Sequence, residues 1–230
     1  MELLSPDTLQ VLRVTLQVAV GATALMALPA LATGFFLARA RFPGKSAVES
    51  IVALPLVLPA TAVGYVLLAL FSHSGPLGAR ALGFDPGILF TWRGAVLASA
   101  VVSFPLAART ARVAFEQVDP RLVKMGRSLG NSRAWVLAQV TLPLAGRGLL
   151  AALLLGFSRA LGEFGATVIV AGNIPGRTQT LALAIFDDIQ LGRTDHALLL
   201  VGLCSALAFA TVFGVESLLA RSAARGGGLR

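Results

Sequence analysis

Five apolar runs divide this chain from end to end, and they decide what it can fold into. They lie at roughly 9–38, 48–71, 92–113, 144–171 and 197–220. A bilayer's hydrocarbon core takes about 20 mostly apolar residues to cross as a helix. Lipid cannot satisfy open backbone groups, so each run is predicted to be helical. A soluble alternative fails on charge: 56% of the residues are hydrophobic and only 13% are charged, against about 25% charged in soluble domains. A soluble fold could not cover that much apolar surface. The expected fold is an all-α integral membrane protein with five transmembrane helices in one domain over residues 1–230. The first and fourth runs are long enough to tilt or to extend past the bilayer. Pro29, Pro55, Pro59 and Pro105 are expected to kink their spans, with neighbours satisfying the freed carbonyls.

The basic residues orient the spans. One side carries 13 bases, from Arg39, Arg41 and Lys45, through seven between Arg109 and Arg147, to Arg221, Arg225 and Arg230. The other carries 5, namely Arg13, Arg80, Arg93, Arg177 and Arg193. The richer side should be cytoplasmic, which puts the amino terminus outside and the carboxyl terminus in the cytoplasm. Met1-Glu2-Leu3-Leu4 lacks a basic leader region, so the first run is expected to be retained as a span. The net charge of +8 thus belongs to cytoplasmic loops resting against anionic membrane lipid. Without aromatic interleaving it is no nucleic-acid surface.

Between the third and fourth runs lies a basic insert, about 114–143. Asp119-Pro120 is a helix start, with Asp as cap and Pro at the first helical position. Gly130 is a natural stop, and Asn131 or Ser132 can cap a second short helix running through Trp135 toward Val140. Leu122, Met125 and Leu129 share one face of the first helix, while Arg121, Lys124 and Arg127 point elsewhere. So short a helix is marginal alone in water. It must lie on the membrane surface or fit a groove in a partner.

Arg159 and Glu163 fall inside the fourth run, four residues apart, and share a helical face. Charges at bilayer depth face a cavity or a partner. The pair either lines an ion path or fixes helix packing. Gly162, Gly165 and Gly172 flank it, as close-approach positions or as hinges. The polar run from Asn173 to Thr180 lies toward the outer side, as a gate or contact surface or as a plain connection. Asp187, Asp188 and Asp195 are external too, by default a solvated face. Cys204 reads as a small buried side chain, and His73 and His196 as ordinary polar residues. No metal-ligand spacing appears, nor a nucleophile elbow. Gly44-Lys45-Ser46 is not a P-loop, because Arg39 stands where the first glycine belongs.

From Lys124 to Pro143 the chain resembles the signature loop of ABC-importer permeases. That pattern is Glu-Ala-Ala, three residues, Gly, nine residues, Ile, one residue, Leu-Pro. Here Lys124-Met125-Gly126 is followed at those spacings by Gly130, Val140 and Leu142-Pro143. The opening triplet departs, with lysine in place of glutamate. The segments 159–167 and 172–180 resemble the molybdate branch of the family, as do 41–45, 54–59 and 92–97. The resemblance implies a type I importer permease of the bacterial inner membrane, not an enzyme. It implies a homodimer of two permease copies, two cytoplasmic ATPase subunits that bind ATP and Mg, and an external oxyanion-binding protein. Lys124, Met125, Gly126, Arg127, Gly130, Leu142 and Pro143 would couple to the ATPase. Arg159, Glu163, Gly165 and Asn173 would line or gate the molybdate path. No cofactor is expected in the chain itself. Tungstate and sulfate or thiosulfate permeases of the same family are rival assignments. An intramembrane enzyme centred on Arg159 and Glu163, or a membrane anchor that docks a partner, stand further off.

Overall fold

The computed structural model describes residues 6–226. Met1–Leu4 and Arg230 lie outside the described residues, as do the side chains of Arg221 and Arg225. All regular structure among the described residues is helical: α1 (Pro6–Arg39), α2 (Lys45–Val57), α3 (Ala60–Phe71), α4 (Ala79–Leu82), α5 (Trp92–Glu116), α6 (Pro120–Ser128), α7 (Arg133–Val136), α8 (Leu142–Leu161), α9 (Gly165–Ala171), α10 (Leu181–Gln190) and α11 (Thr194–Gly226). Four long helices are each apolar enough to cross a bilayer, and α2 with α3 supplies a fifth if that bent pair is one span.

Helix α5 is the centre. In its apolar stretch 67% of residues are buried, against 11% in α11, which lies on the periphery. Small side chains let neighbours close on it. Ala100, Ala107 and Ala108 of α5 pack with Ala19, Ala22 and Met26 of α1 and with Ala160 of α8. At the other end of the bundle Phe115 meets Phe35 edge-on, with ring centroids 5.2 Å apart, in a cluster that includes Leu149 of α8.

Three of the expected helices differ from the structure. Residues 48–71 are not one kinked span: α2 and α3 meet at 105°. Leu58, which precedes a proline, is extended at φ −68°, ψ 144°, because the pyrrolidine ring disfavours helix at that position. The run 144–171 is likewise interrupted, since α8 ends at Leu161 and α9 begins at Gly165. At the other end, the second short helix of the insert does not stop before the membrane. A continuous helical stretch runs from Arg133 to Leu161, with one π-helical turn at Leu137–Thr141. Pro143 has no N–H and crowds the carbonyl four residues back. A widened turn, in which the Leu142 N–H reaches Leu137 O, accommodates it without ending the helix.

Candidate functional site: the basic corner and the broken membrane helix

The basic insert folds as a compact corner. The Asp119 carboxylate accepts from the Arg121 N–H at 2.8 Å and starts α6. Asn131 does not cap the next helix. Its Nδ2 instead donates to Gly126 O at 3.1 Å and closes the end of α6, while Ser132 Oγ accepts from the Trp135 N–H. Gly130 turns the chain at φ +85°, a conformation that costs glycine least. Gly126 is buried, and a β-carbon there would lie 3.1 Å from Val136 Cγ2, so α6 is seated tightly on α7. The Arg127 guanidinium donates to Asn131 O at 3.0 Å.

The apolar face of α6 is turned away from the protein. Leu122 is 42% exposed, Met125 61% and Leu129 80%; Arg121 and Lys124, expected to point elsewhere, instead border the same open surface as Met125 and Leu129, with Ser128. Leu142 and Pro143 are exposed on the first turn of α8. The signature residues therefore divide: Gly126, Arg127 and Gly130 build the corner, Lys124 and Met125 sit on its free face, and Leu142-Pro143 belongs to the helix that enters the membrane.

Arg159 and Glu163 do meet, with Nη1 to Oε2 at 2.9 Å. They do not share one unbroken helix. Arg159 lies in the last turn of α8 and Glu163 in the break, where its other oxygen accepts the Ala166 N–H at 2.9 Å. The carboxylate therefore holds an arginine on one side and caps α9 on the other. It is 2% exposed, while the Arg159 side chain is 34% exposed. A buried carboxylate with both oxygens engaged avoids most of the penalty of an unpaired charge.

The flanking glycines separate by role. A β-carbon on Gly165 would stand 3.0 Å from Ala60 Cβ, and one on Gly64 would stand 2.8 Å from Ala166 Cα. Together these positions bring α3 and α9 into backbone contact. Gly172 ends α9 at φ +71°, and a β-carbon on Gly162 would meet nothing within 4 Å. Asn173 is not gathered to the ion pair, since the whole of α9, about 10 Å of helix, lies between them. Its Oδ1 is buried without a hydrogen-bond partner. The Asn173–Thr180 segment is internally tied: Thr178 Oγ1 accepts from the Ile174 N–H at 3.0 Å and donates to Gly172 O at 3.2 Å.

One polar cluster went unseen in the sequence. Asp188 is not part of a solvated face. It is 4% exposed, accepts from Arg193 Nε at 3.0 Å and bonds His196 Nδ1, so it joins α10 to the start of α11. No spacing rule brings residues 188, 193 and 196 together, because a turn with Gly192 at φ +70° intervenes. Cys204 is a free, half-buried thiol packed in the cluster that holds Val11 and Leu200. Among the described residues, no group of three His, Cys, Asp or Glu side chains could hold a metal ion.

Residues 30–224 match the family model described as binding-protein-dependent transport system inner membrane component. The molybdenum transport system permease protein ModB of Escherichia coli (strain K12) is 46% identical over 157 residues, covering 68% of this chain and 69% of that protein. The sulfate transport system permease protein CysT of Salmonella typhimurium is 31% identical over 217 residues, covering 94% of this chain and 78% of its own length. A bacterial ABC transporter involved in import of the acidic polysaccharide alginate has the same fold, with TM-score 0.74 at 17% identity over 94% of this chain and 80% of that one.

Proposed function

Because the chain belongs to the family of binding-protein-dependent transport system inner membrane components, we propose that it is the membrane-spanning subunit of an ATP-driven molybdate importer. The observation that carries the transport role is the corner around α6. Its apolar side chains are exposed on one face, while the other face is fixed to the membrane helix by Gly126 against Val136. A helix that offers free apolar surface and is rigidly joined to a span transmits force from a bound partner. The partner is the ATPase subunit, which binds ATP and Mg. Two copies of this chain enclose the path, and an external binding protein delivers the anion. The amino terminus faces outward and the carboxyl terminus faces the cytoplasm.

Molybdate is favoured over sulfate by 46% identity to a molybdenum permease over 157 residues, against 31% to a sulfate permease over 217, although over comparable lengths of 215 and 217 residues the margin narrows to 34% against 31%. Tungstate, a tetrahedral oxyanion of similar shape, is expected to share the path. Alternating access follows: nucleotide closes the ATPase dimer, the two α6 corners are drawn together, and the membrane helices open outward. Lys124 stands on the free face of α6 where the family pattern has glutamate, so coupling here does not depend on an acid at that position. The break between α8 and α9 is the second moving part. Arg159 offers a positive charge beside the path, and Glu163 moderates it so that an anion is attracted without being trapped.

The test is co-purification with the ATPase and measurement of ATP hydrolysis against uptake. Deletion of 127–131 should leave the ATPase able to hydrolyse ATP while uptake falls to background, and Lys124→Glu should leave uptake intact. Normal uptake in the deletion variant would overturn the coupling role.

A further inference from the structure

An open cavity of about 510 Å³ lies between the first turns of α1, the start of α5 and the loop that follows α9. Arg13, Arg93 and Arg177 line it, one from each of these segments, together with Gln10, Gln17 and Trp92. Among the described residues no carboxylate lines the cavity, and none of the three arginines forms an ion pair. Asp85, nearby in sequence, is turned to the Gly87 N–H.

Three arginines without a lining carboxylate give this concave surface one sign of charge, and a concave wall of one sign concentrates counter-ions. The walls are also held in place. Gln10 Nε2 donates to Gly176 O at 3.1 Å and ties the loop to α1. The Arg177 N–H donates to Ile174 O at 3.0 Å within that loop. The Arg93 guanidinium stands 5.9 Å from the centre of the Trp92 ring, which orients it as a cation over an aromatic face. Planar guanidinium forks suit the oxygens of a tetrahedral oxyanion, and the two glutamine amides add neutral donors.

The geometry points to an anion-binding site in this cavity, at the end of the bundle where α1 begins and away from the Arg159–Glu163 pair. Its ligand is a tetrahedral oxyanion group, either free in solution or carried as the phosphate of a lipid headgroup. Only the identity of the free anion that reaches the site, molybdate, rests on the function proposed above.

Trp92 supplies the reporter. The chain has two tryptophans, so Trp135→Phe leaves Trp92 alone in the cavity. The full chain is placed in nanodiscs of phosphatidylcholine and titrated with molybdate and with sulfate. Trp92 emission is followed, and equilibrium dialysis on the chain with both tryptophans gives an independent binding curve. The expected result is saturable binding that weakens with added NaCl and drops at least tenfold when Arg13, Arg93 and Arg177 are all changed to Gln. Arg177→Gln alone, on an exposed loop, should weaken binding several-fold and guards against misfolding of the triple variant.

In discs containing phosphatidylglycerol, a Trp92 signal that soluble oxyanion displaces would assign the headgroup as occupant. If soluble anion does not bind in neutral discs and anionic discs leave Trp92 unchanged, the proposal is overturned. It is equally overturned by binding that the arginine substitutions leave intact. The readout needs no ATPase. Anion binding here without ATP-driven uptake would keep the site and remove the transport function, whereas uptake with no binding here would remove the site alone.

Discussion

Replacing Glu163 with alanine removes two interactions at once, and the structure allows their weights to be separated. The carboxylate holds Arg159 at 2.9 Å and the Ala166 N–H at 2.9 Å, from a position 2% exposed. Removing one member of a buried pair costs about 3–5 kcal/mol, mostly by stranding the other charge. The Arg159 side chain is 34% exposed and can recover part of its hydration, which favours the low end, about 3 kcal/mol including about 1 kcal/mol for the lost helix cap. Glu163→Gln keeps an oxygen for the Ala166 N–H and gives up only the charge, so it should lose about half as much. At about 2–4 °C per kcal/mol for a chain of this size, Tm should fall by about 6–12 °C in the alanine variant and roughly half that in the glutamine variant. Thermal unfolding of the purified chain in one detergent at fixed pH reads both values. Adding Arg159→Ala to Glu163→Ala should cost less than the two single losses summed, since each removes the same pair. Equal Tm values for the alanine and glutamine variants would refute the capping role, and additive losses would refute the ion pair.

Gly64→Val should destabilise by more than about 2 kcal/mol, because its β-carbon would stand 2.8 Å from Ala166 Cα and backbone cannot rotate away; a Tm within 2 °C of the parent would contradict the close contact of α3 and α9. Thr15→Val removes the hydroxyl that accepts the buried Leu181 N–H at 2.8 Å and should cost about 1–3 kcal/mol, read as faster amide exchange at the start of α10. Asn131→Ala frees Gly126 O at the end of α6 and should cost about 1 kcal/mol, with weaker ATPase coupling as the functional readout.

Local chemistry made the α6 corner legible in the sequence. A cap at Asp119, a positive-φ glycine at Gly130 and an apolar face at 122, 125 and 129 each act within a few residues. The i, i+4 spacing likewise foretold that Arg159 and Glu163 meet. It did not foretell that the helix breaks between them, because the apolar run continues past Gly162. Nor did it foretell that the second Glu163 oxygen accepts the Ala166 N–H. Pro59 announced a disturbance, but the angle of 105° comes from an extended Leu58 that no run of hydropathy encodes. The Asp188–His196 contact crosses a turn between residues eight apart, the cavity of three arginines joins distant segments, and the residues of both looked like isolated surface charges in the sequence. Pro143 misled in the opposite direction. The insert's second helix was expected to run toward Val140 and the fourth run to begin at 144, with Pro143 between them, whereas a π-helical turn lets one helix pass through.

ATP-dependent uptake into proteoliposomes tests the central claim most directly. The chain is reconstituted with its ATPase and binding protein, and molybdate is supplied with excess sulfate or excess tungstate. A molybdate importer predicts uptake that needs ATP, is blocked by tungstate and resists sulfate. Sulfate uptake with no response to molybdate would contradict the substrate, and absence of ATP-driven uptake of any oxyanion would contradict the transport function itself.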